Sequence, residues 1–365
     1  MGQARHIAIA GGGIIGLSCA LVLRQSGLEI TVLEAGETAK EASWAAGGML
    51  AAEDPENPPA LLPLSRYSRS LYPEFLREIE TLSGQRVPLR THETIQVLSH
   101  DATVARSVSL SPEEAAKLIP GLDGAERNYL LLEETSLDPR ELCTALRAAL
   151  LAAGVKLHEQ ERVRSADLQD EGVLLTSERR TLRADAFVNC CGAWVSKLDA
   201  SLEVVPRKGQ MLVVAQPEGA PLLTRVLRSP EVYLIPRGDG RIVIGATVED
   251  AGYSKLVEAD SLALLRRRAA RLWPPAADAL QVDSWAGLRP ATADALPVVG
   301  RYTDGNDLRF AATGHFRNGI LLAPGTAQVI ADLVCDRMPA IDLAAFAPRR
   351  ASLWPACDNH FAAAL

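Results

Sequence analysis

The first 34 residues carry the clearest hydrophobic pattern of the chain. An apolar stretch over residues 6–10 predicts a strand, a glycine-rich turn follows at residues 11–16, and an apolar helix is predicted from there to Leu23. A second apolar stretch, residues 30–33, predicts another strand that ends at Glu34. A strand, a helix and a second strand in this order predict a parallel βαβ unit.

The remaining pattern alternates helices and strands at both ends and is rich in strands in the middle. This indicates an α/β protein in which a β-rich substrate domain interrupts a Rossmann-like nucleotide domain. Ser111 followed by Pro112 predicts a helix start. We predict a nucleotide domain over residues 1–85, 143–205 and 286–345, a substrate domain over 86–142 and 206–285, and a tail over 346–365. Other helices are predicted near residues 64–82, 139–154, 261–272 and 319–334, and strands within 87–98, 155–157, 186–188, 210–214, 232–235, 241–244 and 308–312.

The glycine-rich turn has the spacing of a dinucleotide-binding loop. Gly11 allows the tight turn, Gly13 lets a pyrophosphate approach the backbone, and Gly16 lets the helix pack on the strand. Glu34 stands where a carboxylate binds ribose hydroxyls, which favours FAD or NAD over a 2′-phosphorylated cofactor. The alternative is a glycine turn in an ordinary α/β unit.

Composition narrows the class of protein. The 365 residues are 48% hydrophobic and can bury two domain cores, and a net charge of −7 gives no basic surface for nucleic acid or anionic lipid. None of the six cysteines has C-x-x-C spacing, and the histidines show no metal-ligand spacing. We therefore expect free thiols, no metal, no signal peptide, no membrane span and a cytoplasmic location.

Several further motifs resemble the D-amino-acid oxidase superfamily of flavoenzymes. They are SWAAGGM at 43–49, GLRPATAD at 287–294, GHFRNGILLAP at 314–324, VYLIP at 232–236 and GAW at 192–194. The resemblance implies an FAD-binding Rossmann-like domain with a β-rich substrate domain, as in D-amino-acid oxidase and the related glutathione-reductase-2-like fold. It implies oxidative deamination of glycine and related small amines, such as sarcosine and D-alanine, by hydride transfer to flavin N5.

The resemblance also implies that O2 is reduced to H2O2, that the imine is handed to a thiazole synthase for thiamine synthesis, and that the chain forms a tetramer. Because the 314–321 loop has no cysteine, we expect FAD to be noncovalent. The alternatives are a sarcosine or D-amino-acid oxidase, and a quinone-linked D-amino-acid dehydrogenase. A flavin domain acting on tRNA is disfavoured by the acidic balance.

Two loops are predicted to hold the flavin. Residues 42–49 are small apart from Trp44, which suits backbone lying beside a flat ring, although a tight loop with one buried aromatic residue fits as well. Gly314 and Gly319 expose backbone ahead of a helix, whose positive end would stabilise reduced flavin. The predicted FAD-binding residues are Gly11, Gly13, Ile14, Ile15, Gly16, Glu34, Ala35, Ala42, Ser43, Gly47, Gly48, Met49, Val163, His315, Phe316, Arg317, Asn318, Gly319, Ile320 and Leu321.

Arg289 lies in an otherwise uncharged segment and needs an anionic partner. That partner is either a substrate carboxylate held by the guanidinium fork or a structural carboxylate such as Asp294. The resemblance implies the former and makes Arg289, Tyr233 and Arg317 the catalytic, substrate-binding residues, with Met49 also in the pocket. Without the resemblance, the sequence pattern indicates only that Tyr233 packs on a strand and that Arg317 is a solvated charge. Whether residues 54–63 form a lid is left open.

Overall fold

The computed structural model describes residues 5–98, 107–123, 127–303 and 307–350, so most of the predicted tail, residues 351–365, lies outside it. The strands are β1 (His6–Ala10), β2 (Glu29–Leu33), β3 (Met49–Leu50), β4 (Leu89–Thr91), β5 (Thr94–Leu98), β6 (Ser107–Leu110), β7 (Asn128–Leu132), β8 (Thr135–Leu137), β9 (Lys156–His158), β10 (Val163–Gln169), β11 (Gly172–Ser177), β12 (Thr181–Ala184), β13 (Ala186–Asn189), β14 (Val205–Ala215), β15 (Val226–Arg228), β16 (Tyr233–Pro236), β17 (Arg241–Gly245), β18 (Gln281–Ala291), β19 (Val298–Arg301) and β20 (Arg309–Thr313). The α-helices are α1 (Ile14–Gln25), α2 (Leu62–Ser83), α3 (Pro112–Leu118), α4 (Pro139–Ala152), α5 (Val195–Leu198), α6 (Ala259–Leu272) and α7 (Gly319–Val334). Within these ranges no helix has the length and apolar character needed to cross a membrane.

The first layer is a six-stranded sheet with the order β19-β20-β13-β1-β2-β9. Its strands run parallel except for β19, which pairs antiparallel with β20. The apolar helices α1, α4 and α7 share a buried core with this sheet. The predicted βαβ unit and the α/β fold class are confirmed, because β1 and β2 pair in parallel with α1 between them.

The second layer is an eight-stranded sheet with the order β18-β14-β17-β16-β15-β5-β7-β6. Side chains alternate between its two faces, as a pleated strand requires. Val232 and Leu234 pack into the core that contains α6, while Tyr233 and Ile235 belong to the cluster on the opposite face. That opposite face therefore carries the side chains that meet the glycine-rich segments of the first layer.

The division into two domains stays a prediction. All strands of the six-stranded sheet lie in the three segments predicted for the nucleotide domain, whereas β14 and β18 extend across the predicted boundaries at residues 205 and 286.

The structure differs from the predicted strands in three places. The region 87–98 is two strands, because the chain breaks between β4 and β5 and the two join different sheets. Residues 163–184 form a three-stranded antiparallel sheet, β10-β11-β12, where the sequence pattern predicts strand only around Leu174. Residues 281–291 form the long strand β18, which carries Arg289; the sequence pattern marks residues 284–292 only as a segment uncharged apart from Arg289.

Helix α7 contains Pro324, and two side chains of α2 repair the break in its backbone hydrogen bonds. Proline has no N–H for the carbonyl of residue i−4. That carbonyl belongs to Ile320 and accepts a hydrogen bond from the Tyr72 hydroxyl. Ser68 donates to the Leu321 carbonyl at 2.7 Å and accepts from the Gly325 N–H at 2.9 Å. Helix α2 therefore fixes the first turns of α7.

Replacing Tyr72 with phenylalanine should lower the free energy of unfolding by about 1–3 kcal/mol, because a buried carbonyl loses its donor. Urea denaturation measures this change. Tyr67→Phe is the matched control, since Tyr67 is on the same helix and only partly buried, and it should shift stability by no more than about 0.5 kcal/mol. Equal effects of the two substitutions would contradict the assignment.

Candidate active site

A cleft of about 440 Å³ lies where the two layers meet. The glycine-rich turn after β1 lines one part of it, and Tyr233 of β16 and Arg289 of β18 line another. The carboxyl ends of β1 and β2 open toward it through Ala10 and Leu33. In parallel α/β sheets, ligands bind outside the carboxyl ends of the strands.

The turn after β1 is built by close backbone approach. Gly11 has φ +101°, and a Cβ there would overlap the Cys190 carbonyl. A Cβ on Gly16 would overlap the Gly11 carbonyl, so Gly16 packs α1 on the turn and does not itself line the cleft. Both glycines are therefore required by geometry.

Glu34 lines the cleft at the end of β2 and also holds the turn in place. Its carboxylate accepts a hydrogen bond from the Gly12 N–H at 2.6 Å and another from the Gly36 N–H at 2.8 Å. Two backbone donors orient the carboxylate, so the side chain is fixed where a ribose would lie.

The 42–49 loop presents its small residues to the cleft and turns its large one away. Ser43 accepts a hydrogen bond from the Ile14 N–H at 2.8 Å, which ties the loop to the first turn of α1. Trp44 does not line the cleft; it packs edge-to-face on Trp285, with ring centroids 5.5 Å apart. A Cβ on Gly47 would stand 2.9 Å from Ile235 Cδ1. Backbone is therefore what the loop offers to a ligand.

The segment before α7 brings the helix N-terminus to the same cleft. Phe316 has φ +43°, and its N–H donates to the Pro290 carbonyl at 2.8 Å. His315 is buried, its Nε2 lies 3.0 Å from the Thr326 hydroxyl, and burial lowers the pKa of its ring to about 3. His315 is therefore neutral at physiological pH and is held by α7, which argues against a role as general base.

The structure brings most predicted site residues to one cleft. All of the predicted FAD-binding and substrate-binding residues line it except Gly16 and Leu321, and Leu321 is buried in the core of the first layer. Lining residues that the sequence analysis did not predict for the site include Arg162, Arg164, Trp194, Lys197, Gly209 and Met211. A signal was available for Gly209, since a glycine inside a strand often marks a close approach.

Two glycines make room for Arg289 and Tyr233 on the face of the second sheet. A Cβ on Gly209 would overlap the Arg289 guanidinium, and one on Gly245 would stand 2.7 Å from the Tyr233 hydroxyl. The Tyr233 hydroxyl also lies 3.8 Å from the Met211 sulfur. Both side chains therefore lie flat against bare backbone, with their polar ends at the cleft.

The charge of Arg289 is not balanced by the carboxylate suggested from sequence. Asp294 bonds instead to Arg350, with nitrogen–oxygen distances of 2.8 and 2.9 Å. Among the described residues no carboxylate forms an ion pair with Arg289, whose Nη1 donates to the Thr247 carbonyl at 3.0 Å. Burial lowers the pKa of the guanidinium, and nearby Arg317 lowers it further. An anion in the cleft would relieve both effects.

A buried polar network holds the carbonyl that orients Arg289. The Gln210 N–H donates to the Thr247 hydroxyl at 2.8 Å, and its amide donates to Glu249 at 2.8 Å. Lys208, which is 1% exposed, forms ion pairs with Glu249 at 3.0 Å and Glu258 at 3.3 Å. These bonds fasten residues 247–258 to β14 behind the guanidinium.

The glycine turn, the two backbone loops and the guanidinium define a nucleotide-cofactor oxidoreductase site. The chain belongs to the FAD dependent oxidoreductase family, whose model matches residues 6–333. It is similar to glycine oxidase of Pseudomonas aeruginosa, with 34% identity covering 95% of this chain and 99% of that protein. It is also 35% identical to the bifunctional protein ThiO/ThiG of Synechocystis sp., over 94% of this chain and 54% of that protein.

Among solved structures, the glycine oxidase from Geobacillus kaustophilus superposes with a TM-score of 0.88 at 31% identity, covering 95% of this chain and 99% of that one. The predicted family, fold class, cofactor and enzyme class are confirmed.

The residues present fit FAD. A Cβ on Gly13 would stand 3.4 Å from the Ser43 hydroxyl and would fill the space between the turn and the loop. Because Gly13 has no side chain, its backbone is exposed to the cleft there. The 42–49 loop and the N-terminus of α7 both face the cleft. Together they offer N–H groups to a flat ring that gains negative charge when it is reduced. Glu34 stands where the adenosine ribose would bind.

Two glycines opposite each other in β14 and β18 offer a matched test of the site. Gly209→Ala should displace Arg289 and raise KM for carboxylate substrates at least about tenfold, while bound FAD is retained. In Gly287→Ala the new Cβ would stand 2.5 Å from Ala45 Cβ, so this variant should lose FAD instead. Flavin absorbance and steady-state kinetics separate the two outcomes, and FAD loss in both variants would contradict the division of roles.

Proposed function

We propose that this FAD-dependent amino-acid oxidase deaminates glycine and related small amines, including sarcosine and D-alanine, with O2 as acceptor and H2O2 as product. The observation that supports this most is the Arg289 guanidinium, which faces the cleft without a carboxylate partner among the described residues. A planar fork of this kind matches a substrate carboxylate.

Arg289 binds the carboxylate, and the Tyr233 hydroxyl and Arg317 add contacts from two sides. Bound FAD would be held by the 42–49 loop and the N-terminus of α7, and it would supply the hydride acceptor for the substrate α-carbon and the chemistry that reduces O2. The chain's own contribution is orientation, because fixing the carboxylate directs the α C–H toward the 42–49 loop. His315 is neutral and bonded to Thr326, so it holds the loop and removes no proton.

The space around the clamp favours a small substrate. Met49, Met211 and Tyr233 line the cleft beside Arg289 and leave apolar walls close to the carboxylate site. Apolar walls exclude water and favour the neutral amine over the ammonium form, since burial disfavours the charged species. Hydride transfer requires the neutral amine, because its nitrogen lone pair forms the C=N bond as the hydride leaves the α-carbon.

The proposal for the fate of the product is supported by bifunctional relatives. The chain matches 54% of a bifunctional protein ThiO/ThiG, so the other part of that protein has room for a second activity. We propose that the imine formed here is handed to a thiazole synthase for thiamine synthesis.

Arg289→Ala should lower kcat/KM for glycine at least about 30-fold, because losing one partner of a buried charged hydrogen bond costs about 2–5 kcal/mol. FAD absorbance should remain. Arg289→Lys keeps the charge but not the planar fork, so its kcat/KM for glycine should lie between those of the wild type and Arg289→Ala. Wild-type activity of Arg289→Ala with glycine would exclude the clamp.

The electron acceptor is tested by H2O2 formation in air with glycine, sarcosine and D-alanine side by side. Peroxide from glycine is the expected result. Anaerobic bleaching of the flavin without peroxide in air would make the protein a dehydrogenase. No bleaching by any of the three would exclude this substrate class.

A further inference from the structure

A second cavity of about 270 Å³ lies behind the 42–49 loop. It is lined by three arginines from three different elements: Arg140 at the start of α4, Arg237 after β16, and Arg241 on β17. Val213, Val243 and Trp285 form an apolar wall. Nothing in the proposed reaction uses this cavity.

Arg140 is held by its faces and by a hydrogen bond from its Nε to the Trp44 carbonyl at 3.4 Å, which leaves Nη2 free to donate. Its guanidinium carbon lies 3.5 Å from the centre of the Trp44 ring and 4.1 Å from that of Trp285. Such stacking occupies the π faces of the cation but none of its N–H donors. Its Nη2 is buried and has no hydrogen-bond partner among the described residues.

The carboxylates near the cavity leave two of the three arginines weakly paired. Asp239 holds Arg241 at 2.6 and 2.9 Å. Asp283 and Asp138 stand 3.7 and 3.8 Å from Arg140 and Arg237, longer than a hydrogen bond.

Asp138 and Arg237 are also constrained by other contacts. Asp138 already accepts the Arg140 backbone N–H at 2.9 Å as the cap of α4. Arg237 is 4% exposed, its Nη1 donates to the Leu137 carbonyl at 2.9 Å, and burial lowers the pKa of its guanidinium. The cavity therefore contains guanidinium donors that its own carboxylates do not satisfy.

We propose that this cavity binds a small organic carboxylate, with its oxygens on Arg140 and Arg237, Arg241 completing the positive wall, and its hydrocarbon part against Val213, Val243 and Trp285. The arginines favour an oxyanion, and the apolar wall favours a carboxylate over inorganic phosphate.

The site is connected to the flavin loop through two residues. Ala46 lines both the cavity and the cofactor cleft. Trp285 Nε1 donates to the Ala45 carbonyl at 3.1 Å, while its ring carries the Arg140 stack. A ligand bound to Arg140 would therefore be linked, through Trp285 and Ala46, to the side of the 42–49 loop that faces away from the cofactor cleft.

Calorimetric titration of butyrate into the FAD-loaded Arg289→Met protein tests the proposal, since that background lacks the active-site clamp. Binding with a Kd at or below about 1 mM is expected. Adding Arg140→Met, which removes the unpartnered Nη2 donor, should weaken it at least about tenfold. Adding Arg77→Met, an exposed arginine paired with Glu74 on α2, should not. Because binding is measured without turnover, the result is independent of which amine the enzyme oxidises.

No binding in the Arg289→Met protein, or equal binding with and without Arg140→Met, would overturn the proposal. Tighter binding of inorganic phosphate than of butyrate would overturn the choice of a carboxylate. If Arg289→Met does not fold, wild type and Arg140→Met are titrated, and loss of one of two binding phases is the expected result.

Discussion

Close approach of bare backbone is the constraint on which the site depends. At Gly11 the turn touches the end of β13, at Gly209 the strand passes under a guanidinium, and at Gly287 β18 presses on the 42–49 loop. A methyl group at Gly11 or Gly287 would push two elements apart, and one at Gly209 would displace the guanidinium. The turn, the loop and the guanidinium can come close enough to enclose a cofactor only because these positions lack side chains.

Polar groups freed by this packing are satisfied by side chains from distant segments. Ser43 takes up an N–H of α1, Glu34 takes up the Gly12 N–H of the turn, and Tyr72 takes up the carbonyl left by Pro324. Each bond joins elements that are far apart in the chain. The cleft is therefore rigid where a ligand would need a preorganised surface, and no carboxylate among the described residues pairs with Arg289 there.

Local signals predicted those parts of the fold and site that a short segment determines. The βαβ unit, the capped helix after Ser111 and the start of α4 at Pro139 follow from periodicity, capping and glycine spacing. Strands β10 and β12 were missed because they are mostly exposed and polar, and β18 because exposed residues at its start and a glycine and a proline further on interrupt its apolar pattern. Gly209 and the network around Lys208 were missed because their roles depend on strands far away in sequence.

The sequence by itself determined the class of cofactor and the residues that could hold it, since a dinucleotide-binding loop is a short segment that its glycine spacing identifies. The tertiary structure decided which charges are paired. From sequence, Asp294 was as good a partner for Arg289 as a substrate; in the fold, Asp294 bonds to Arg350 and Arg289 faces the cleft. Pairing of charges depends on distances between segments, and only packing sets those distances.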